Sequence, residues 1–62
     1  MTPGELSGAG QFLWGNAWRQ RMSEELGVRR ETVWKWETGK HPIPEIAARF
    51  LRLLVQHALS LS

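Results

Sequence analysis

Apolar residues along this chain recur at three- and four-residue intervals, and the recurrence breaks at glycine and proline. Leu6, Ala9 and Leu13, with Phe12 beside them, describe a first helix over about residues 3–14, stopped by Gly15. Thr2-Pro3 offers it an N-cap followed by proline at the first helical position, and Glu5 complements the helix dipole. Gly8 and Gly10 lie inside it, each costing up to about 1 kcal/mol relative to alanine. This helix is therefore either the weakest, or one whose glycines permit close approach of another backbone. Asn16 is placed to cap a second helix over about 17–26, with Trp18, Met22 and Leu26 on one face and Gly27 at its end. A third helix spans about 30–38, with Val33 and Trp36 inward and Gly39 at the exit. After a Lys40-His41-Pro42 turn, Ile43-Pro44-Glu45 opens the longest helix, about 44–60. Its expected core stripe is Ile43, Ile46, Ala47, Phe50, Leu53, Leu54, Ala58 and Leu61. No alternating run competes, so the pattern predicts an all-α, small four-helix domain occupying residues 1–62.

Composition narrows the chemistry. A chain of 62 residues buries only about 60% of its unfolded surface, so its core is thin. Four tryptophans and two phenylalanines are the large anchors. Without cysteine there is no disulfide, cysteine zinc site or thiol nucleophile, and every acid is glutamate. Only His41 and His57 remain for a nucleophilic constellation, so no enzyme, metal site, cofactor or small-molecule ligand is expected. No basic start leads into an apolar run, and the most apolar stretch, 50–55, is broken by Arg52. The expected setting is cytoplasmic, with no membrane partner. Charge is uneven: residues 27–40 hold four bases against two acids, a net of +2 that equals the whole chain's. Such clustering points to an anionic partner.

Residues 22–40 carry the most specific signal. Two short amphipathic helices flank a glycine turn of about three residues, which is the helix-turn-helix plan. Gly27 can adopt the left-handed conformation that ends one helix and redirects the chain. Val28 plugs the space between the helices, small Ser23 keeps them close, and Met22, Val33 and Trp36 supply their shared core.

In these residues the chain resembles the lambda-repressor-like, or Cro/xenobiotic-response-element, helix-turn-helix family of bacteria and phages. The likeness rests on Leu26-Gly27-Val28, on residues 32–40 (Thr-Val-Trp-Lys-Trp-Glu-Thr-Gly-Lys) and on Pro42-Ile43-Pro44. Leu13-Trp14-Gly15 and Trp18 match a subgroup in which a tryptophan opens the second helix. The resemblance covers essentially the whole chain and implies a bacterial nucleoid-associated or phage-encoded regulator, acting as a repressor on double-stranded DNA. It places the third helix in the major groove, with Arg30, Glu31, Trp34 and Lys35 facing base edges. It places Arg19, Arg21, Arg29, Thr38 and Lys40 at phosphates. Departures from the family are visible too. No arginine lies in the first helix to pair with Glu37, which leaves Arg49, Arg52 or water, and Arg29 stands where a capping Ser or Thr is usual.

Leu51, Val55 and Leu59 widen the last helix's apolar arc beyond what one small core covers. Family members commonly bind as two-fold dimers, so these three are the expected homodimer contact. The rival reading is a helix-turn-helix module used for protein–protein contact, antitoxin-like or an adaptor. Outward Trp34 and the acid Glu31 favour it.

Overall fold

The computed structural model describes residues 1–61, and among these it is all-helical with no strand. The first helix, α1 (Pro3–Trp14), starts as the sequence predicts. Thr2 Oγ1 accepts from the Glu5 backbone N–H at 3.1 Å, and Glu5 Oε1 accepts from the Thr2 N–H at 2.8 Å. Two donors left over at the helix start are thereby satisfied reciprocally, with Pro3 pre-set to helical φ.

Gly10 is where α1 admits another element. The Trp18 indole lies directly on it, so that a Cβ there would come within 2.7 Å of Trp18 Cδ2 and 3.1 Å of Cγ. The close approach foreseen for a glycine is thus made by a ring rather than a backbone. Gly8 faces open space.

Asn16 does not cap the second helix. Residues Gly15–Ala17 form a single 3-10 turn, and α2 (Trp18–Leu26) follows an Ala17 N-cap with no side-chain hydrogen bond. The far end of α2 is better closed. Gly27 sits at φ 68, ψ 30, the Gly27 N–H donates to Glu24 O and the Val28 N–H donates to Ser23 O. That pair of bonds satisfies two terminal carbonyls and turns the chain sharply. The third helix, α3 (Arg30–Glu37), begins at Arg29, whose side chain makes no capping bond. Gly39, at φ 78, reverses the chain toward Pro42-Ile43-Pro44 and the last helix, α4 (Glu45–Ser60).

The core draws on every helix: Leu6 from α1, Trp18 and Met22 from α2, Val33 and Trp36 from α3, Ala47 and Leu51 from α4. Leu13, Trp14, Leu26, Val28 and Ile43 pack around it, half-buried. Ser23 is buried and donates its hydroxyl to Gln20 O at 2.7 Å, so it faces the core without an unpaired polar atom.

The last helix differs most from expectation. Its buried face is Ala47, Ala48 and Leu51, whereas Ile46 is 80% exposed, Leu53 63% and Leu61 74%. The stripe is rotated by about a quarter turn from the predicted one. The small pair Ala47-Ala48 lets the helix axis close on the core, which larger side chains on that face would prevent. Leu51, expected at a dimer contact, is instead wholly enclosed by its own chain. No helix among the described residues is long and apolar enough to cross a membrane.

Candidate nucleic-acid interface

The surface of interest is the side of α3 turned away from Val33 and Trp36. At 100° per residue Glu31 points most directly outward, with Trp34 and Lys35 on either side and Arg30 at one edge. All four residues expected to face base edges therefore share one surface. Arg29 precedes them at the helix start, and Lys40 follows beyond Gly39. An eight-residue helix is about 12 Å long, comparable to the width of a major groove.

Local ion pairs divide these charges into committed and free. Lys35 Nζ lies 3.4 Å from Glu31 Oε1, one turn away, so the central acid and one base largely neutralise each other. Arg29 and Arg30 are exposed and make no ion pair among the described residues. Lys40 places its ammonium 5.9 Å from the Trp34 ring centroid, a cation–π contact that leaves its charge unneutralised. The cations around this face that no carboxylate neutralises among the described residues are Arg30 at its edge, Arg29 at the helix start and Lys40 beyond Gly39.

The other expected phosphate contacts are less available. Arg21 pairs with Glu24 and Glu25 on its own helix. Thr38 donates its hydroxyl to Trp34 O at 3.0 Å, which occupies it as a donor and closes the last turn of α3. Arg19 makes a two-pronged bond to Glu37: Nε to Oε1 at 2.7 Å and Nη2 to Oε2 at 2.5 Å. Its guanidinium also stacks 4.6 Å from the centroid of its neighbour Trp18. Arg19 thus supplies the partner that the sequence could not find for Glu37, in place of Arg49, Arg52 or water.

The Arg19–Glu37 pair ties the first residues of α2 to the last of α3, and so sets how α3 leans out from the core. The Arg19 hydrogen bond, helped by its charge and opposed by partial burial, holds the Glu37 carboxyl below its ordinary value of 4.5. A carboxylate whose folded pKa is depressed adds stability that is fully present above its unfolded value. That stability drains away as pH falls through the folded one. Replacing Glu37 by Gln should cost about 1 kcal/mol near neutral pH, the upper range for a pair still partly in water. The difference between wild type and variant should shrink on acidification below the ordinary carboxylate value of 4.5. Thermal melts across that window measure it. Glu5, lowered by its hydrogen bonds to Thr2, titrates in the same direction in both proteins and cancels from the comparison.

Two contacts of this site were not readable from spacing. Lys40 reaches Trp34 only because Gly39 reverses the chain between them, and Arg19 meets Glu37 across two helices. Neither follows a helical period, although the unpaired glutamate at 37 signalled that some cation had to arrive.

Elsewhere on the molecule, α1 and α4 leave an open groove lined by Ala9, Phe12 and Val55, together with Glu5 and Arg52. Phe12 is exposed, as is Leu59 one turn beyond Val55, and Val55 itself is half-buried. Two of the three residues expected at a dimer contact therefore reach the surface, while Leu51 closes the groove floor from within the core. Phe12 is the contributor that the sequence reading assigned to the core instead. Compared with protein-family models, with curated proteins and with solved structures, the chain matches none of them.

Proposed function

We propose that this chain is a sequence-specific DNA-binding regulator: a four-helix, lambda-repressor-like domain in which α2 and α3 act as a helix-turn-helix. The observation that carries the reading is the surface around α3, where Arg29, Arg30 and Lys40 lack carboxylate partners among the described residues. In this reading α3 enters the major groove. Arg30 donates to guanine O6 and N7, Lys35 and Glu31 act as a coupled pair at neighbouring base edges, and Arg29 and Lys40 engage phosphates. Arg19 serves mainly to hold α3 in place through Glu37. A groove-filling helix on a promoter excludes other proteins, which makes repression the simplest outcome.

Three free cations around α3 give few phosphate contacts, so useful affinity calls for two copies. The groove between α1 and α4 suits a second copy, because a two-fold axis there would cover the exposed Phe12 and Leu59 of both protomers. Phe12, Val55 and Leu59 then form the apolar centre. Phe12→Glu should convert a dimer to a monomer in sedimentation equilibrium, with the helical circular dichroism unchanged because Phe12 is exposed. A wild-type chain that sediments as a monomer at every concentration removes this interface.

The central test is a fluorescence-anisotropy titration of a mixed-sequence duplex over a range of salt. Two phosphate contacts per protomer, from Arg29 and Lys40, predict a slope of log K against log salt of about −2. Lys40→Ala should reduce that slope by about one for all sequences. Arg30→Ala should lose about 5- to 150-fold, and only at one base pair of a selected site. Glu31 at the outermost position favours the second reading, a protein-contact module. Absence of any salt-sensitive association by the wild-type chain would decide for that reading.

A further inference from the structure

Trp34 is the one residue of the α3 face that charge does not explain. Its indole is 48% exposed on an eight-residue helix, and no side chain of the core covers it. The surroundings carry a net positive charge. Arg30 lies one turn before it on the same side and Lys40 sits over the ring, while the neighbouring Glu31 and Lys35 are paired with each other. An apolar centre inside a basic rim suits a partner that offers anions at its edges and an apolar group at its middle. The DNA major groove has that layout. Its walls are phosphates, and its floor is polar except for the C5-methyl group of thymine.

A paired duplex offers the ring a methyl group rather than a base face. Stacking on an unpaired base needs an open ring face and a splayed strand, as in single-strand binders. Here the strand is paired, and the Lys40 ammonium lies over one face of the ring, 5.9 Å from its centroid. The indole is left to present its edge and remaining face along the groove. We infer that Trp34 is a specificity-determining residue that selects thymine by apolar contact of its indole with the C5-methyl group. This rests on the DNA-binding reading above and adds to it a base preference that the cations do not supply.

The test uses a 24-base-pair alternating dA·dT duplex and the same duplex built with deoxyuridine, so that only the methyl groups differ and every register presents them. Wild type should bind the thymine duplex more tightly by about fourfold for each methyl covered, the ratio that burying one such group yields. Trp34→Ala should bind both duplexes equally, with an unchanged salt slope, and Trp34→Phe should keep part of the preference. Equal, salt-sensitive binding of both duplexes by wild type overturns the inference and leaves DNA binding standing. A preference that persists in Trp34→Ala belongs to the shape of the duplex and also overturns it. Tighter binding to single-stranded oligothymidine than to duplex would replace it with stacking, and binding to none of these probes would remove both readings.

Discussion

Replacing Gly10 with alanine should destabilise the protein, although helix propensity alone predicts the opposite. In an exposed helix interior the change from Gly to Ala is worth about 1 kcal/mol of stabilisation. At Gly10 the added carbon runs into the Trp18 indole, with Cδ2 at 2.7 Å and Cγ at 3.1 Å. Trp18 is 2% exposed and belongs to the core, so the ring has no free volume to move into. Overpacking a filled core costs about 1–3 kcal/mol, and the upper end applies where neither partner can yield. The net expectation for Gly10→Ala is a loss of about 2 kcal/mol, seen as a melting temperature lower by about 10 °C. Gly8, two residues earlier in the same helix, faces nothing within 4 Å. Gly8→Ala should therefore raise the melting temperature, by about 4–8 °C. The contrast isolates packing from propensity, because the two sites share one helix and one substitution. Equal stabilisation at both would mean that α1 and α2 do not meet at Gly10. Displacing Trp18 also disturbs Arg19, which stacks on it and holds Glu37. Gly10→Ala should consequently weaken any function of α3 beyond its effect on stability.

How much of this could be read from the sequence depends on whether the determinant is local. The start of α1 was legible because Thr2, Pro3 and Glu5 settle it within four residues, and the turn at Gly27 because only a left-handed residue ends α2 there. The inward placement of Trp18, Met22, Val33 and Trp36 followed from helices whose apolar residues occupy a single narrow stripe. Asn16 misled for the converse reason. It is a good capping residue in isolation, but the chain must first turn enough to lay Trp18 on Gly10, and a 3-10 turn accomplishes that. The outer face of α3 was legible as a set of positions, since the complement of a clear core stripe is equally clear. Its electrostatics were not, because the engagement of Arg19 and Lys40 depends on how separate segments approach.

For α4 the same logic explains the failure and supplies a sharp test. Apolar side chains occupy most of its circumference, so several rotations bury comparable area and the pattern alone cannot choose among them. Packing chooses the one with Ala47 and Ala48 against the core, which puts Leu51 at 0% exposure and Leu53 at 63%. Leu51→Ala should then cost about 2–5 kcal/mol, from lost transfer energy plus the cavity left behind. A domain of this size rarely holds more than about 3–5 kcal/mol in total, so the variant should be largely unfolded at room temperature. Leu53→Ala and Ile46→Ala, both on the predicted stripe, should change stability by no more than about 0.5 kcal/mol. Urea titrations followed by tryptophan fluorescence read all three, since Trp18 and Trp36 lie in the core that Leu51 supports. If Leu53→Ala proved as damaging as Leu51→Ala, the helix would have to be turned back by a quarter. Leu51 would then return to the surface as a candidate for contact with a second copy.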